Sequence, residues 1–273
     1  MGYMASPGVV SYEPRYSDNL FYETTPTGIE GLDQLLGGGF IRGRTYLISG
    51  ETGTGKTLIS LTFLLQGALK FGEPGIYVSV DETYEQLVMG AKRFGWDLEE
   101  LRAKGLIEVL VPEMDLIERL REKDPTAIAK SLIASLRDYV VALNAQRLVI
   151  DPIAPLVTLD KDVQVLREYI RVLVMGIERE IGTTNIVTTE IPSGSTAISR
   201  YGVEEFLATG VLVTGIARTR DGNFKRVLFI RKMRWSPVQP GLYEFEIVPK
   251  EGVVVKAQVK EPLMPVTFLP FAP

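Results

Sequence analysis

Cysteine and histidine are both absent from this sequence of 273 residues. Without cysteine the chain has no disulfides and no thiolate metal sites. Without histidine it lacks the commonest general base and the commonest metal ligand. Ser-His and Cys-His nucleophilic pairs are excluded for the same reason. Acid–base chemistry therefore falls to Asp, Glu, Lys or Tyr, or to a bound metal ion.

Long apolar runs are missing as well, and no secretory leader is expected from the first residues. No apolar stretch approaches the roughly 18 residues that span a bilayer, and the first residues lack a basic start followed by an apolar segment. We therefore expect a cytoplasmic protein with no membrane partner. The formal net charge of −4 gives no overall basic footprint for nucleic acid, although it leaves room for a local basic patch.

Short apolar runs alternate with helical patterns over most of the chain. Strands are predicted at 44–50, 75–80, 107–111, 147–151 and 185–190, with helices at 56–70, from Thr83, from Asp124 to about 143, and at 162–181. Two further runs flank Asp221-Gly222, a strong hairpin signal, and strands follow at 241–248 and 252–259. The pattern predicts an α/β fold with a mainly parallel sheet flanked by helices and antiparallel C-terminal strands.

One domain over residues 23–250 is the simplest organisation. Residues 1–22 are predicted to be a tail or arm: either a disordered terminus or an arm that docks its aromatic residues on a neighbouring surface. Those aromatic residues are Tyr3, Tyr12, Tyr16, Phe21 and Tyr22. Residues 251–273 read as a C-terminal strand and a proline-rich tail. Because 261–273 contains four prolines, we expect that it cannot continue a sheet.

The segment 50–57 fits the phosphate-binding pattern G-x-x-x-x-G-K-[ST] in full, between a predicted strand and a predicted helix. Its glycines let backbone N–H groups turn toward phosphate oxygens, and the helix adds the positive end of its dipole. Lys56 is expected to reach the β- and γ-phosphates, and Thr57 to bind Mg²⁺. The alternative is a glycine-rich turn with a chance lysine. The predicted nucleotide contacts are Gly50, Thr52, Gly53, Thr54, Gly55, Lys56 and Thr57.

Acidic residues end three of the predicted strands, at the edge where ligands of α/β proteins bind. Asp151 is predicted to hold Mg²⁺ opposite Thr57, the alternative being a turn start before Pro152. Asp81 and Glu82 are candidates for the base that activates water, or else acids that stabilise a helix start. Glu190 is a candidate sensor of the γ-phosphate, or a solvated strand end.

Seven segments together resemble the KaiC-like branch of the RecA/RadA superfamily. They are Thr27-Gly28-Ile29-Glu30-Gly31-Leu32-Asp33, Gly37-Gly38-Gly39, the phosphate-binding segment, Asp81-Glu82, Leu148 to Pro152, Ser199 to Phe206, and Lys232-Met233-Arg234. The resemblance covers about residues 24–248 and is specific as a combination. It implies a RecA-like ATPase core and a hexameric ring with ATP bound between subunits. The preference for ATP over GTP rests on this resemblance.

The resemblance also implies roles for matched residues. Asp81 and Glu82 fall on the family's catalytic acidic pair, with Glu82 as the base. Lys232 and Arg234 match the Lys-x-Arg that reaches the γ-phosphate of the neighbouring subunit; residues i and i+2 of a strand share a face, so both can act on one phosphate. Two departures are evident. Glu205-Phe206 stands near the position of the phosphate-accepting Ser-Thr pair, so no autokinase activity is expected. Thr209-Gly210 replaces an expected Asp-Gly.

Three functions remain open from the sequence. The first is a ring-forming ATP hydrolase that signals its nucleotide state to an unknown protein partner. The second is a non-hydrolysing sensor whose assembly depends on ATP. The third is a RadA-like DNA-dependent ATPase whose loops 152–162 and 191–203 touch DNA. Those loops hold only Lys161 and Arg200 as basic residues, which argues against DNA binding, although a ring multiplies each charge.

Overall fold

A ten-stranded mixed sheet organises the part of the chain that the computed structural model describes, residues 23–112, 124–153, 163–219, 221–260 and 264–265. A separate pair of short strands, β1 and β2, lies at its N-terminal end. The strands are β1 Thr24–Thr25, β2 Phe40–Ile41, β3 Thr45–Gly50, β4 Gly75–Ser79, β5 Ile107–Leu110, β6 Arg147–Asp151, β7 Thr184–Glu190, β8 Gly210–Arg218, β9 Phe224–Met233, β10 Gly241–Val248, β11 Gly252–Gln258 and β12 Met264–Pro265.

The sheet has the order β11-β10-β9-β8-β3-β7-β6-β4-β5. Strands β8, β3, β7, β6, β4 and β5 run parallel to their neighbours in that series. Strands β8 to β11 are joined by antiparallel pairing. This is the predicted α/β architecture, with the phosphate-binding strand β3 at the centre of the sheet.

Helices cover the sheet and connect its parallel strands. They are α1 Leu32–Leu35, α2 Lys56–Phe71, α3 Tyr84–Arg93, α4 Leu98–Ala103, α5 Pro125–Leu143, α6 Val163–Gly176 and α7 Glu204–Leu207, with a π-helical turn at Ile177–Ile181. The helix predicted at 162–181 is thus an α-helix that widens in its last turn. No helix among these is both long and apolar enough to cross a bilayer.

Alternate residues of the central strand enter two different cores. Tyr46 and Ile48 join the core beneath α2, α3 and α4, while Leu47 joins the core beneath α5 and α6. This alternation follows from the two-residue repeat of a strand. Because β3 is buried on both faces, it reads in sequence as a continuous apolar run.

Local capping signals determine where two helices begin. Thr83 and Gln86 form the predicted capping box at the start of α3. The carboxylate of Asp124 accepts from the Ala127 backbone N–H at 3.2 Å, and Pro125 occupies the first helical position of α5. Helix α3 therefore starts directly after the acidic residues that follow β4.

The prediction that residues 261–273 cannot continue a sheet is wrong at two positions. Met264 and Pro265 pair with Arg218 and Ala217 as strand β12. Strand β3 pairs with β8 only as far as Thr214, so the last residues of β8 have an open edge on that side. Proline is compatible with an edge strand because the backbone N–H that it lacks is not needed for pairing on the outer side of that strand. Residues 1–22 lie outside the described part of the chain, as does most of loop 152–162.

Candidate functional site

The phosphate-binding segment 50–57 forms a tight turn between β3 and α2. Gly55 precedes the helix with a φ of 105°, a conformation that side chains disfavour. Gly50 lies so close to β8 that an added Cβ would be 2.1 Å from the Thr214 hydroxyl oxygen. Glycine is therefore favoured at both positions by the backbone conformation and by the close approach of β8.

Lys56 directs its ammonium group back into this turn. Its Nζ donates to the backbone oxygens of Gly50 and Glu51, each at 3.0 Å. Burial lowers the pKa of Lys56, while the nearby carboxylates of Glu190 and Asp151 oppose that shift. The group thus presents a partly desolvated positive charge beside the backbone turn.

Thr54, like Gly50, differs from the other predicted contacts because it does not line the cavity described below. Its side chain is buried, donates to the Glu51 backbone oxygen at 2.7 Å and lies 2.7 Å from the Thr214 hydroxyl. It braces the turn against β8.

A cavity of about 380 Å³ opens beside the turn. Most predicted site residues line it: Thr52, Gly53, Gly55, Lys56, Thr57, Asp81, Glu82, Asp151 and Glu190. Residues that the sequence analysis did not single out complete the wall, among them Tyr77, Ser79, Arg226 and Ile247. The ends of four strands from separate parts of the sequence, β3, β4, β6 and β7, therefore meet at one pocket.

Asp151 is held at the end of β6 by hydroxyl groups from both neighbouring strands. Tyr77 of β4 donates to one carboxylate oxygen and Thr188 of β7 donates to the other. Burial raises the pKa of Tyr77 well above its ordinary value, which keeps the phenol protonated and able to donate. The bond between Asp151 and Pro152 is cis.

Asp81 and Glu82 occupy the mouth of the cavity between β4 and α3, and both are exposed. The Ser79 hydroxyl donates to the backbone oxygen of Glu82 at 2.7 Å. Partial desolvation and neighbouring carboxylates raise the pKa of both side chains; for Glu82 the neighbours are Asp151 and Asp81. A carboxylate with a raised pKa beside a phosphate site is suited to accept a proton from water.

Glu190 connects the end of β7 to the phosphate-binding turn. Its carboxylate accepts from the Thr52 hydroxyl at 3.1 Å and lies 3.7 Å from the guanidinium of Arg200. Arg200 is the basic residue of loop 191–203, so that charge is already paired within the chain. Glu190 thus lies beside the phosphate-binding turn.

Lys232 and Arg234 lie outside the cavity wall. The Lys232 ammonium donates to the backbone oxygens of Glu205 and Ala208, both at 2.7 Å, and Arg234 donates to that of Phe206 at 2.8 Å. Hydrogen bonds therefore attach the Lys232 and Arg234 side chains to the C-terminal end of α7. Burial lowers the pKa of Lys232 to about 8, with a further lowering by Arg234.

Trp235 follows this pair with a φ of 60° and with 77% of its surface exposed. The indole therefore stands in solvent directly beside the guanidinium-bearing Arg234. The ring of Phe206 is also exposed, on α7.

The donors at the cavity fit a magnesium ion that is carried mainly by a nucleotide. Thr57 and Asp151 offer a hydroxyl and a carboxylate, which are oxygen ligands of the kind that Mg²⁺ prefers. Within the described ranges, no group of three or more Asp and Glu side chains is arranged to hold a metal by itself. Phosphate oxygens and water would have to supply the remaining ligands.

The fold and the pocket define a P-loop nucleotide-binding protein with a RecA-like α/β core. A family model described as "ATPase: KaiC" matches residues 25–260. The chain therefore belongs to the KaiC ATPase family, as the sequence resemblance indicated.

Curated relatives agree with this assignment. The chain is 34% identical over 224 residues to the circadian clock oscillator protein KaiC of Synechococcus elongatus, which covers 81% of this chain and 42% of that protein. It is 33% identical over 225 residues to KaiC of Thermosynechococcus vestitus and 32% identical over 234 residues to KaiC of Prochlorococcus marinus. The chain spans less than half the length of these relatives, at 42% and 45% respectively.

Sequence reasoning missed the hydroxyl groups that hold Asp151. Tyr77 stands inside a buried apolar strand, so the sequence alone assigns it to the core. Its contact with Asp151 arises from the pairing of β4 with β6, which matches Tyr77 to Val149 and Ser79 to Asp151. A polar group on a buried strand two residues from its end is the signal that could have found it.

Proposed function

We propose that this chain is a Mg-ATP-dependent ATPase that hydrolyses ATP at the subunit interfaces of a homohexameric ring and signals its nucleotide state to a protein partner. The observation that carries the proposal is the single cavity that joins the phosphate-binding turn, Asp151 and the Asp81-Glu82 pair. Membership of the KaiC ATPase family supports it.

Phosphate binding is the first step. The backbone turn at Gly53 to Gly55, the start of α2 and the Lys56 ammonium all act on the same end of the cavity. Lys56 exchanges its bonds to two backbone oxygens for bonds to β- and γ-phosphate oxygens. This exchange is favourable because a phosphate carries full negative charge and a backbone oxygen does not.

Magnesium binding is assigned to Thr57 and Asp151. Thr57 would contact the ion through its hydroxyl, and Asp151 would act through the water shell of the ion. When bound, magnesium neutralises charge on the β- and γ-phosphates. Tyr77 and Thr188 keep the Asp151 carboxylate in one orientation.

Arg226 and Ile247 provide a site for the nucleoside. Both residues line the cavity. The ring of Phe245, on the same strand as Ile247, lies so close to the turn that a Cβ added to Gly55 would be 3.4 Å from it. A guanidinium plane and an apolar side chain suit the two faces of a flat base. The preference for ATP over GTP is inferred from membership of the KaiC ATPase family.

Water activation is assigned to Glu82, with Asp81 as the second carboxylate. The water oxygen bonds to the γ-phosphorus as the bond to the β–γ bridging oxygen breaks, and Glu82 takes the proton. The products are ADP and inorganic phosphate. The raised pKa of Glu82 brings its basicity closer to neutral pH.

Lys232 and Arg234 are assigned to the site of the neighbouring subunit. They lie outside the cavity of their own chain, whereas the exposed carboxylates of Asp81 and Glu82 line that cavity and make it acidic. A basic pair from one copy is therefore complementary to the cavity of the next. Positive charge supplied in this way stabilises the charge that develops on the transferred phosphoryl group.

The decisive experiment is the ATPase rate per subunit measured against protein concentration. We expect specific activity to rise as rings assemble, and Lys232→Ala with Arg234→Ala to remove that rise. A rate per subunit that is independent of concentration and of these substitutions would remove the role across subunits.

Glu82→Gln tests the base. It should bind Mg-ATP normally and lose turnover, whereas Glu85→Gln, an exposed matched change on α3, should keep it. Tight Mg-ATP binding without turnover in the wild type would favour the sensor instead. Stimulation by single-stranded DNA would favour the DNA-dependent ATPase.

Neither Glu205 nor Phe206 has a hydroxyl to accept phosphate, so we propose no autokinase activity.

A further inference from the structure

We infer that Glu204 is a positioning residue that fixes the Lys232–Arg234 pair to the nucleotide-facing end of β7. The inference rests on the proposed role of that pair in the neighbouring active site. It adds the physical link between the pocket of a subunit and the charges that the same subunit offers to its neighbour.

Glu204 is a buried carboxylate held by neutral donors, with 2% of its surface exposed. It accepts from the Thr189 hydroxyl at 3.0 Å, and it shares the single proton of the Ser199 hydroxyl, 2.7 Å away, with the carboxylate of Glu205. Backbone N–H groups of Tyr201 and Val203 donate to it at 3.3 and 3.1 Å. A buried charge is costly unless its hydrogen bonds are satisfied, so these donors fix its position.

Helix α7 depends on this anchor. It spans only Glu204–Leu207, and a helix of one turn has little stability of its own. The side chain of its first residue ties it to β7 through Thr189. Without Glu204, α7 would keep its backbone connections but lose its main polar attachment to the sheet.

The basic pair in turn depends on α7. Lys232 and Arg234 donate to three backbone oxygens at the end of this helix, those of Glu205, Phe206 and Ala208. An ammonium group has three N–H donors, and two of those on Lys232 point to α7. These two hydrogen bonds orient the ammonium group and so set the direction of its third N–H. The position of α7 therefore determines where the positive charge of Lys232 is presented.

The other end of the link reaches the phosphate-binding turn. Thr189 directly precedes Glu190, whose carboxylate accepts from Thr52. The carboxylate of Glu51 accepts from the backbone N–H of Gly194 at 3.1 Å, which ties loop 191–203 to the same turn. A displacement of the turn by bound nucleotide therefore acts on both segments that flank Glu204.

A double-mutant cycle tests this link. Glu204→Gln should lower kcat by on the order of 10- to 100-fold, leave the affinity for Mg-ATP within about twofold, and cause no further loss in a Lys232→Ala/Arg234→Ala background. Losses that add in the combined variant, or a full rate in Glu204→Gln when the pair variant is impaired, would overturn the inference. If the pair variant itself keeps full activity, both this inference and the assignment of the pair to the neighbouring site are lost.

Mixed rings separate positioning from a defect in the subunit's own pocket. Glu82→Gln subunits keep an intact basic pair, and Glu204→Gln subunits keep an intact pocket. We expect the mixture to be more active than either variant alone. Mixing without any gain would mean that Glu204 acts inside its own pocket, against the inference.

Two further variants guard against simple misfolding. Thr189→Val removes one donor to Glu204 at nearly constant volume and should show the same kcat loss in weaker form. Glu178→Gln is the matched control: this carboxylate accepts from the Thr45 backbone at 2.8 Å, at the opposite end of β3. It should change thermal stability without changing the response to mixing. Equal kinetic effects of Glu178→Gln and Glu204→Gln would contradict a specific role.

Discussion

The phenolic hydroxyl of Tyr77 donates to Asp151, although the two residues lie 74 positions apart in the chain. This hydrogen bond restricts the rotation of the Asp151 carboxylate, which is proposed to act on magnesium. Tyr77→Phe deletes this hydroxyl and little else. We predict that magnesium binding in the presence of ATP weakens by about tenfold, measured by calorimetric titration of Mg²⁺ or by the electron spin resonance of Mn²⁺.

Tyr169→Phe is the control for this substitution. Tyr169 is also fully buried, and its hydroxyl has no hydrogen-bond partner among the described residues. Its loss should leave metal affinity unchanged. Equal weakening in both variants would show that the effect comes from core packing and not from the hold on Asp151.

The pKa of Lys232, about 8, predicts an alkaline limit to activity. Burial disfavours the charged form, so the ammonium loses its proton as the pH rises through this value, and the charge offered to the neighbouring site disappears. We expect kcat to fall above about pH 8. Lys232→Arg keeps its charge over this range, so its pH profile should lack this limb. A limb of the same position in both proteins would assign it to another group.

The raised pKa values of Asp81 and Glu82 predict that these two carboxylates, which are proposed to act in catalysis, lower the stability of the fold at neutral pH. Their pKa values are raised above 3.8 and 4.5, so the folded chain binds protons more tightly than the unfolded chain. These groups therefore destabilise the fold as the pH rises through that window, and the effect vanishes below the unfolded pKa values. Asp81→Asn and Glu82→Gln should raise the melting temperature of the nucleotide-free protein at pH 7 but not near pH 3. A gain of equal size at both pH values would exclude the titration as its cause.

Arg147 predicts a large stability effect away from the pocket. It is fully buried and bonds Glu73 at 2.8 Å and the backbone oxygens of Phe63 and Pro26, also at 2.8 Å. Arg147→Met leaves Glu73 and both oxygens without this donor. Removing one partner of a buried pair costs about 3–5 kcal/mol, to be measured by urea unfolding at 25 °C.

Arg42→Met provides the comparison for that measurement. Arg42 also pairs with Glu73, at 2.8 Å, but 34% of its side chain is exposed. Solvent screens such a pair, so we expect a loss of about 1 kcal/mol or less. A similar loss for both variants would mean that burial does not set the energy of this cluster.

The sequence predicted those parts of the molecule whose chemistry is local. The turn at Gly50 to Thr57, the cap at Thr83 and the strand that ends at Asp151 each carry their signal within a few residues. Strand pairing then brought these segments to one cavity, as expected for the carboxyl ends of parallel strands.

The remaining features depend on contacts between distant segments. Arg147 is charged and opens a strand, so its pattern suits a solvated position, yet Gly67 of α2 leaves room for its guanidinium in the interior. Glu204 reads as an acid in the first turn of a helix, and its burial depends on Thr189 and Ser199. Met264 and Pro265 pair where β8 extends past β3. Residue type alone carries none of this information.

Trp235 gives the molecule an optical reporter of its own. The chain has two tryptophans, and the other, Trp96, is 4% exposed in the core. An indole in water emits at longer wavelength than one sheltered by a neighbouring subunit. Fluorescence from the unlabelled protein can therefore follow, in real time, whether the surface beside Arg234 becomes covered when nucleotide is added.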